Sequence, residues 1–191
     1  NATILLDGKS ILQSESGNFL IGFPHNAETL AQLVVSYPDG SIQKRSFSIE
    51  QRSYKIERIN YLPKRKVTPN AAALARINAE RTTIKKANLT IVEKPFFIDG
   101  FIRPILGRIS GVFGSRRILN GKLRRPHFGI DIAAPEGSDI KAASSGVVVF
   151  VHEGMFFNGK TLVINHGLGL RSTYVHMSKI TVKLGTLVTK G

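Results

Sequence analysis

The chain has 191 residues, 42% of them hydrophobic, 21% charged and 18 of them glycine; this is the composition of a folded protein, and the length predicts a small domain joined to a medium one. No cysteine is present, which excludes disulfides and thiolate zinc sites and leaves His, Asp and Glu as the metal ligands available. The longest unbroken aliphatic or aromatic run, Val147 to Val151, is far below the roughly 18 residues of a membrane helix, while a formal charge of +14 favours anionic partners without choosing among nucleic acid, an anionic membrane surface and bacterial wall polymers.

Residues 1–61 carry short apolar or alternating segments, Phe19 to Phe23 and Leu33 to Tyr37 among them, separated by the turn signals Asp7-Gly8, Ser16-Gly17 and Asp39-Gly40. That pattern predicts a small antiparallel β module. It shows no titratable cluster, and His25, next to Pro24, reads as a loop residue.

Residues 62–94 read as a linker. Pro63, the basic triplet Lys64-Arg65-Lys66 and Pro69 precede an alanine-rich run that predicts a helix over about 69–87, with Thr68 as its cap and Pro69 in its first turn. Leu74, Ile77 and Ile84 share one face, and Arg76, Glu80 and Lys86 are expected to face water.

From residue 95 to 191 glycines become frequent, and strands are expected at Gly146 to Val151, Thr161 to Asn165, Arg171 to Val175 and Thr181 to Lys183. Asn158-Gly159 and the stretch His166-Gly167-Leu168-Gly169 supply turns between them, and His152 and His166 are assigned to loops. The expected fold is mainly β: an N-terminal antiparallel module, a connecting helix, and a C-terminal antiparallel β domain.

Within the last region, the run His127-Phe128-Gly129-Ile130-Asp131-Ile132 alternates by side, so His127 and Asp131 share a polar face with Gly129 between them. Residues four apart in an extended strand are separated by about 13 Å, too far for two ligands that each sit about 2 Å from one zinc ion. A bend is therefore required for both to bind one metal, and Gly129 permits it. Alone, such a pair is a weak signal. His176, in Thr173-Tyr174-Val175-His176-Met177-Ser178, is by its own context a ligand, a base or a surface residue.

These segments gain meaning as a series. Gly107-Arg108-Ile109-Ser110-Gly111-Val112-Phe113-Gly114-Ser115-Arg116, then Pro126 to Gly137, Ala142 to Val148, Asn165-His166-Gly167 and Tyr174 to Ser178 resemble, in the same order, the lysostaphin and LytM type of cell-wall zinc metallopeptidase. The resemblance covers about residues 100–191. It implies an antiparallel β domain with an open groove, zinc as cofactor, His127 and Asp131 as zinc ligands, and His176 as a catalytic histidine, with Tyr174 lining the groove. It also implies a peptidoglycan substrate cut at a peptide bond, and export to the periplasm or cell surface; Asn rather than Met at position 1 fits either a processed secreted chain or a trimmed one. The family's third ligand comes from an H-x-H motif expected beyond Gly191.

Two other readings compete with a zinc endopeptidase. One is a non-enzymatic relative of the same fold that binds and activates another cell-wall hydrolase. The other is a nucleic-acid-binding β domain, suggested by Arg116, Arg117, Lys122, Arg124 and Arg125 but lacking the interleaved aromatics that such a surface uses; no nucleic-acid partner is expected. A swinging-arm carrier would need a lysine at a hairpin tip, and Lys141 precedes the turn.

Overall fold

A computed structural model describes residues 2–63 and 67–191; the basic triplet at 64–66 lies outside the described residues. Near the N-terminus, strands β1 (Thr3–Leu6) and β2 (Lys9–Ser10) form a hairpin. Its two turn residues, Asp7 and Gly8, both adopt positive φ (48° and 75°), the geometry that an Asp-Gly pair favours. Strands β3 (Leu30–Ser36) and β4 (Ile42–Ser48) complete an antiparallel sheet in the order β2-β1-β3-β4. Ile4, Ala31 and Leu33 are buried in it.

Phe19 to Phe23, expected as a strand, is not one: Phe19 makes a single bridge to Gln13, and the rest is irregular. Gly22 has no side chain to pack, and Pro24 has no N–H to pair.

Strand β5 (Ile56–Ile59) leaves the N-terminal sheet and pairs in parallel with β7 (Arg116–Leu119), which also forms a hairpin with β8 (Lys122–Leu123). Asn120, in the turn of that hairpin, binds Leu62 in both directions: its Oδ1 accepts from the Leu62 N–H at 3.0 Å, and its Nδ2 donates to the Leu62 carbonyl at 2.8 Å. The end of the N-terminal segment is thus fastened to the C-terminal region.

Helix α1 runs over Ala71–Ala87, two residues later than the sequence predicts. Asn70 caps it, its side chain accepting the Ala73 N–H at 2.9 Å. The Thr68 hydroxyl, expected as the cap, accepts instead from Lys122 Nζ at 3.0 Å. Ile77 is buried and Ile84 packs on the C-terminal sheet, whereas Leu74 stays exposed. Glu80, expected in water, turns inward to accept the Phe156 N–H at 2.8 Å and pairs with Arg76 at 2.7 Å. Burial opposes its ionisation, but these hydrogen bonds prevail and hold its pKa below the usual carboxylate value.

The C-terminal sheet is antiparallel in the order β12-β11-β10-β13, formed by β10 (Gly146–Met155), β11 (Gly159–Gly167), β12 (Leu170–Met177) and β13 (Leu187–Val188). A register shift after Val148 lets Val149 and Phe150 both join Met155 and Val163 beneath α1, while Val148, Leu162 and Ile164 face the other side. With apolar cover on both faces, β10 and β11 read as nearly continuous hydrophobic runs. The strand expected at Thr181 to Lys183 falls instead at β13. There a turn at Gly185 (φ 81°) resets the pairing, while Ile180 and Val182 turn toward the apolar cluster.

The expected turn at residues 166–169 is confined to Leu168 and Gly169, so His166 lies in β11; His152, also expected in a loop, lies in β10. A short pair, β6 (Arg108–Gly111) with β9 (Asp131–Ala133), faces β12 across an open groove. Among the described residues, no helix is long and apolar enough to cross a membrane.

Candidate metal centre

The segment holding His127 is not an extended strand. Its backbone is tied to the preceding turn: His127 N–H donates to Ser115 O at 2.9 Å, and Gly114 N–H donates to His127 O at 2.7 Å. The chain then bends at Gly129 and enters β9 only at Asp131. The bend closes the gap that an extended strand would leave, placing His127 Nε2 3.2 Å from Asp131 Oδ1.

Two glycines leave room around this segment. Gly111 lies opposite Asp131 in the β6–β9 register, and a Cβ there would press on the Asp131 carboxylate, 2.9 Å from its Cγ. Gly114, at φ 80°, lies against the ring of Tyr54, which a Cβ would meet at 2.7 Å from Cζ.

The hydrogen bonds of His127 test whether the site suits a metal. Its Nδ1 lies 3.2 Å from the Val112 carbonyl, which can only accept, so Nδ1 carries a proton and Nε2 is the ring nitrogen turned toward Asp131. The two atoms are 3.2 Å apart, and with a neutral ring a lone pair and a carboxylate oxygen would face one cation together. One imidazole nitrogen and one carboxylate oxygen form a donor set that suits zinc. Among the described residues, no group of three His, Asp or Glu side chains converges.

The other carboxylate oxygen is also engaged. Arg117, on β7, donates from Nη2 to Asp131 Oδ2 at 3.3 Å and from Nε to Glu57 Oε2 at 3.2 Å. The sequence marked Arg117 only as part of a basic cluster and did not mark Glu57. No local signal was available, because Glu57 lies sixty residues from Arg117 in the chain and meets it only through the β5–β7 pairing. Other members of that cluster are bound within the chain too, Lys122 to Thr68 and Arg124 to the Val67 carbonyl.

His176 stands across the groove near the end of β12, with its N–H donating to Asn158 O at 2.8 Å. Its φ of 60° lies in the left-handed region, costly for a non-glycine residue. The groove, about 1200 Å³, is lined by His127, Asp131, His176, Tyr174, Ser110 and Arg117 among others, and among the described residues its walls begin only at Phe101. Tyr174 lines it and also packs with the core, its hydroxyl accepting the Ala143 N–H at 2.7 Å.

The remaining histidines lie elsewhere. His25 packs edge-on against Phe128 at 5.7 Å, and His152 stacks on Phe150 at 6.1 Å. His166 is wholly buried, its Nδ1 2.7 Å from Ser145 O and its Nε2 2.8 Å from Ser172 Oγ. Burial pushes its pKa below the usual histidine value, and the Ser145 contact only partly opposes this.

Residues 125–191 match the model of peptidase family M23. The chain is 39% identical over 85 residues to the peptidoglycan DD-endopeptidase ShyA of Vibrio cholerae, a match covering 44% of this chain and 20% of that protein. It is 34% identical over 94 residues to a lipoprotein NlpD/LppB homolog of Pseudomonas aeruginosa, covering 49% and 29%. It is 35% identical over 81 residues to the DD-carboxypeptidase/endopeptidase Mpg of Neisseria meningitidis, covering 42% and 18%. The matches thus span less than a third of each of these relatives. A crystal structure described as a peptidase M23 from Pseudomonas aeruginosa superposes with a TM-score of 0.69 at 27% identity, covering 100% of this chain and 72% of that one. The ordered motif series, the mainly β architecture and the family match coincide in the C-terminal region, and it is there, at residues 125–191, that the chain carries a peptidase M23 domain resembling the LytM type.

Proposed function

We propose that the protein is a zinc-dependent endopeptidase that hydrolyses peptide bonds in the stems or cross-bridges of peptidoglycan, outside the cytoplasm. The observation that carries this reading is the His127 Nε2–Asp131 Oδ1 pair, 3.2 Å apart, on the wall of a groove shared with His176. The peptidoglycan substrate is supported by the kind of relative that the chain resembles and suits its charge of +14. In domain terms, residues 1–61 form an accessory β module, 62–94 a linker, and 95–191 the peptidase region.

His127 and Asp131 would hold the zinc, which when bound supplies Lewis acidity toward the scissile carbonyl and the attacking water. The contact from Nδ1 to Val112 O keeps the His127 lone pair on Nε2 and the ring aimed at the groove. Asp131 adds negative charge, which moderates that acidity relative to an all-histidine site. His176 takes the proton from the attacking water, or stabilises the oxyanion as an imidazolium, across the groove from the ligands. Open on one side, the groove admits an extended peptide between β12 and the β6–β9 pair.

A second reading is a non-enzymatic module of the same fold that binds another cell-wall hydrolase. It is supported by the resemblance to a relative named as a lipoprotein rather than as a peptidase. Zinc content and release of soluble fragments from purified peptidoglycan, measured on the full-length protein and on Asp131→Ala, separate the two. The peptidase reading expects about one zinc and steady release, with both lost in the variant. A wild-type protein that holds no zinc and releases nothing refutes it in favour of the binding module.

A further inference from the structure

The side chain of Arg117 stands between two carboxylates that the sequence keeps far apart, Nε 3.2 Å from Glu57 Oε2 and Nη2 3.3 Å from Asp131 Oδ2. The Glu57 side chain is half-exposed, but its backbone is fixed. It sits directly opposite Arg117 in the parallel β5–β7 register. That short ladder is secured at both ends: Arg116 N–H donates to Lys55 O at 2.9 Å, and Asn120 N–H donates to Ile59 O at 3.0 Å. The Asn120–Leu62 amide pair continues the fastening just beyond.

The two oxygens of Asp131 are thereby divided. Oδ1 faces His127 Nε2, and Oδ2 is taken by the guanidinium. Gly111 leaves the carboxylate room to lie in this orientation. A carboxylate held by one oxygen offers the other in a fixed direction, which is the service that outer-shell partners give to metal ligands.

The charges decide whether Arg117 helps or hinders a dication. A lone guanidinium beside the site would repel it. With Glu57 on its far side, Arg117 belongs to a nearly neutral pair, whose field at the site is that of a dipole rather than of a net charge, so the orienting effect prevails.

We infer that Glu57 and Arg117 are positioning residues for the metal centre, and that strand β5 from the N-terminal segment is a working part of that centre. This rests on the zinc reading above. Glu57 acts only through Arg117, and Arg117 acts only through Asp131.

The test is zinc affinity of the full-length protein, measured by competition with a chromogenic chelator, with thermal melting of each metal-free variant run alongside. Arg117→Gln is expected to weaken zinc binding about 10-fold or more, within the range for loss of an outer-shell partner. Arg117→Lys keeps the charge but not the planar fork and should restore only part of the affinity. Glu57→Gln should weaken binding several-fold in the wild-type background and change nothing once Arg117 is Gln. Arg116→Gln, which removes one positive charge from the neighbouring position, should leave affinity unchanged.

Wild-type protein without zinc refutes the metal reading itself, whatever the variants do. Wild-type protein with zinc, combined with unchanged or tighter binding in Arg117→Gln, overturns the inference and leaves the metal reading intact. A Glu57→Gln effect of equal size with and without Arg117 overturns the relay. Should metal-free Arg117→Gln melt below the assay temperature, full wild-type affinity in a well-folded Arg117→Lys variant overturns the role of the guanidinium fork.

Discussion

Gly111→Ala tests the metal centre with one methyl group. Gly111 pairs with Asp131 across β6 and β9, and its φ is not in the positive region, so the backbone accepts alanine without strain. The new Cβ would lie 2.9 Å from Asp131 Cγ, and closer still to Oδ2. Restoring ordinary contact at about 3.4 Å requires the carboxylate to withdraw by roughly 0.5 Å at Cγ and further at its oxygen. The contacts of Asp131 to His127 at 3.2 Å and Arg117 at 3.3 Å cannot both survive that movement.

Because a misplacement near 1 Å costs about 100-fold in rate, the variant should lose about 10- to 100-fold in peptidoglycan hydrolysis, with zinc affinity falling in parallel. Its stability should fall by no more than about 2 to 3 kcal/mol: alanine gains up to about 1 kcal/mol by restricting the unfolded chain, against local strain of about 1–3 kcal/mol. Zinc titration, hydrolysis and thermal melting on the same sample separate function from folding. Gly154→Ala, where a Cβ meets nothing within 4 Å, is the control. Wild-type zinc affinity and activity in Gly111→Ala would refute the assignment of Asp131 as a ligand held in this orientation.

Other elements make separate predictions. His176→Ala should retain zinc while losing about 100-fold or more in turnover, and loss of zinc with no further defect would make it a ligand instead. Asn70→Ala removes the side chain that accepts the Ala73 N–H and should cost about 1 kcal/mol in denaturant unfolding; no change would show that the helix start is held by other contacts. For His166, the folded pKa lies below the unfolded value of 6.5. Between those two values the unfolded chain binds the extra proton, so stability should fall as pH drops below about 6.5 and level off beneath the folded pKa. His166→Gln should be less stable throughout, yet with a shallower decline from pH 7 to 5; an unchanged slope would assign that decline to other groups.

The parts of the molecule that were legible in the sequence are those whose information is local. The motif series singles out His127, Asp131 and His176, which the structure places around one groove, and the arithmetic of an extended strand calls for a bend between the first two, which the chain makes at Gly129. Long hydrophobic strands such as β10 and β11 were found but read short, because the residues at their ends are defined by their partners' backbone rather than by their own type. What was missed depends on distant partners. Asn70 caps the helix, while Thr68 accepts from Lys122, fifty-four residues away in the chain. The glycine neighbours of His166 suggest a turn, whereas two hydrogen bonds hold the residue in the core. Glu57 and Arg117 meet only because β5 abandons the N-terminal sheet.

That desertion has a practical consequence for anyone dissecting the protein. A fragment that starts at Pro95 would strip β5 from β7 and leave four residues, Arg116 to Leu119, with a bare row of amide and carbonyl groups along one side. Exposed rows of this kind recruit strands from other molecules, so the shortened protein should self-associate as its concentration rises. Beginning the fragment at Arg52 keeps β5 as a built-in cover. Light scattering on the two fragments would show the difference before any enzymology is attempted.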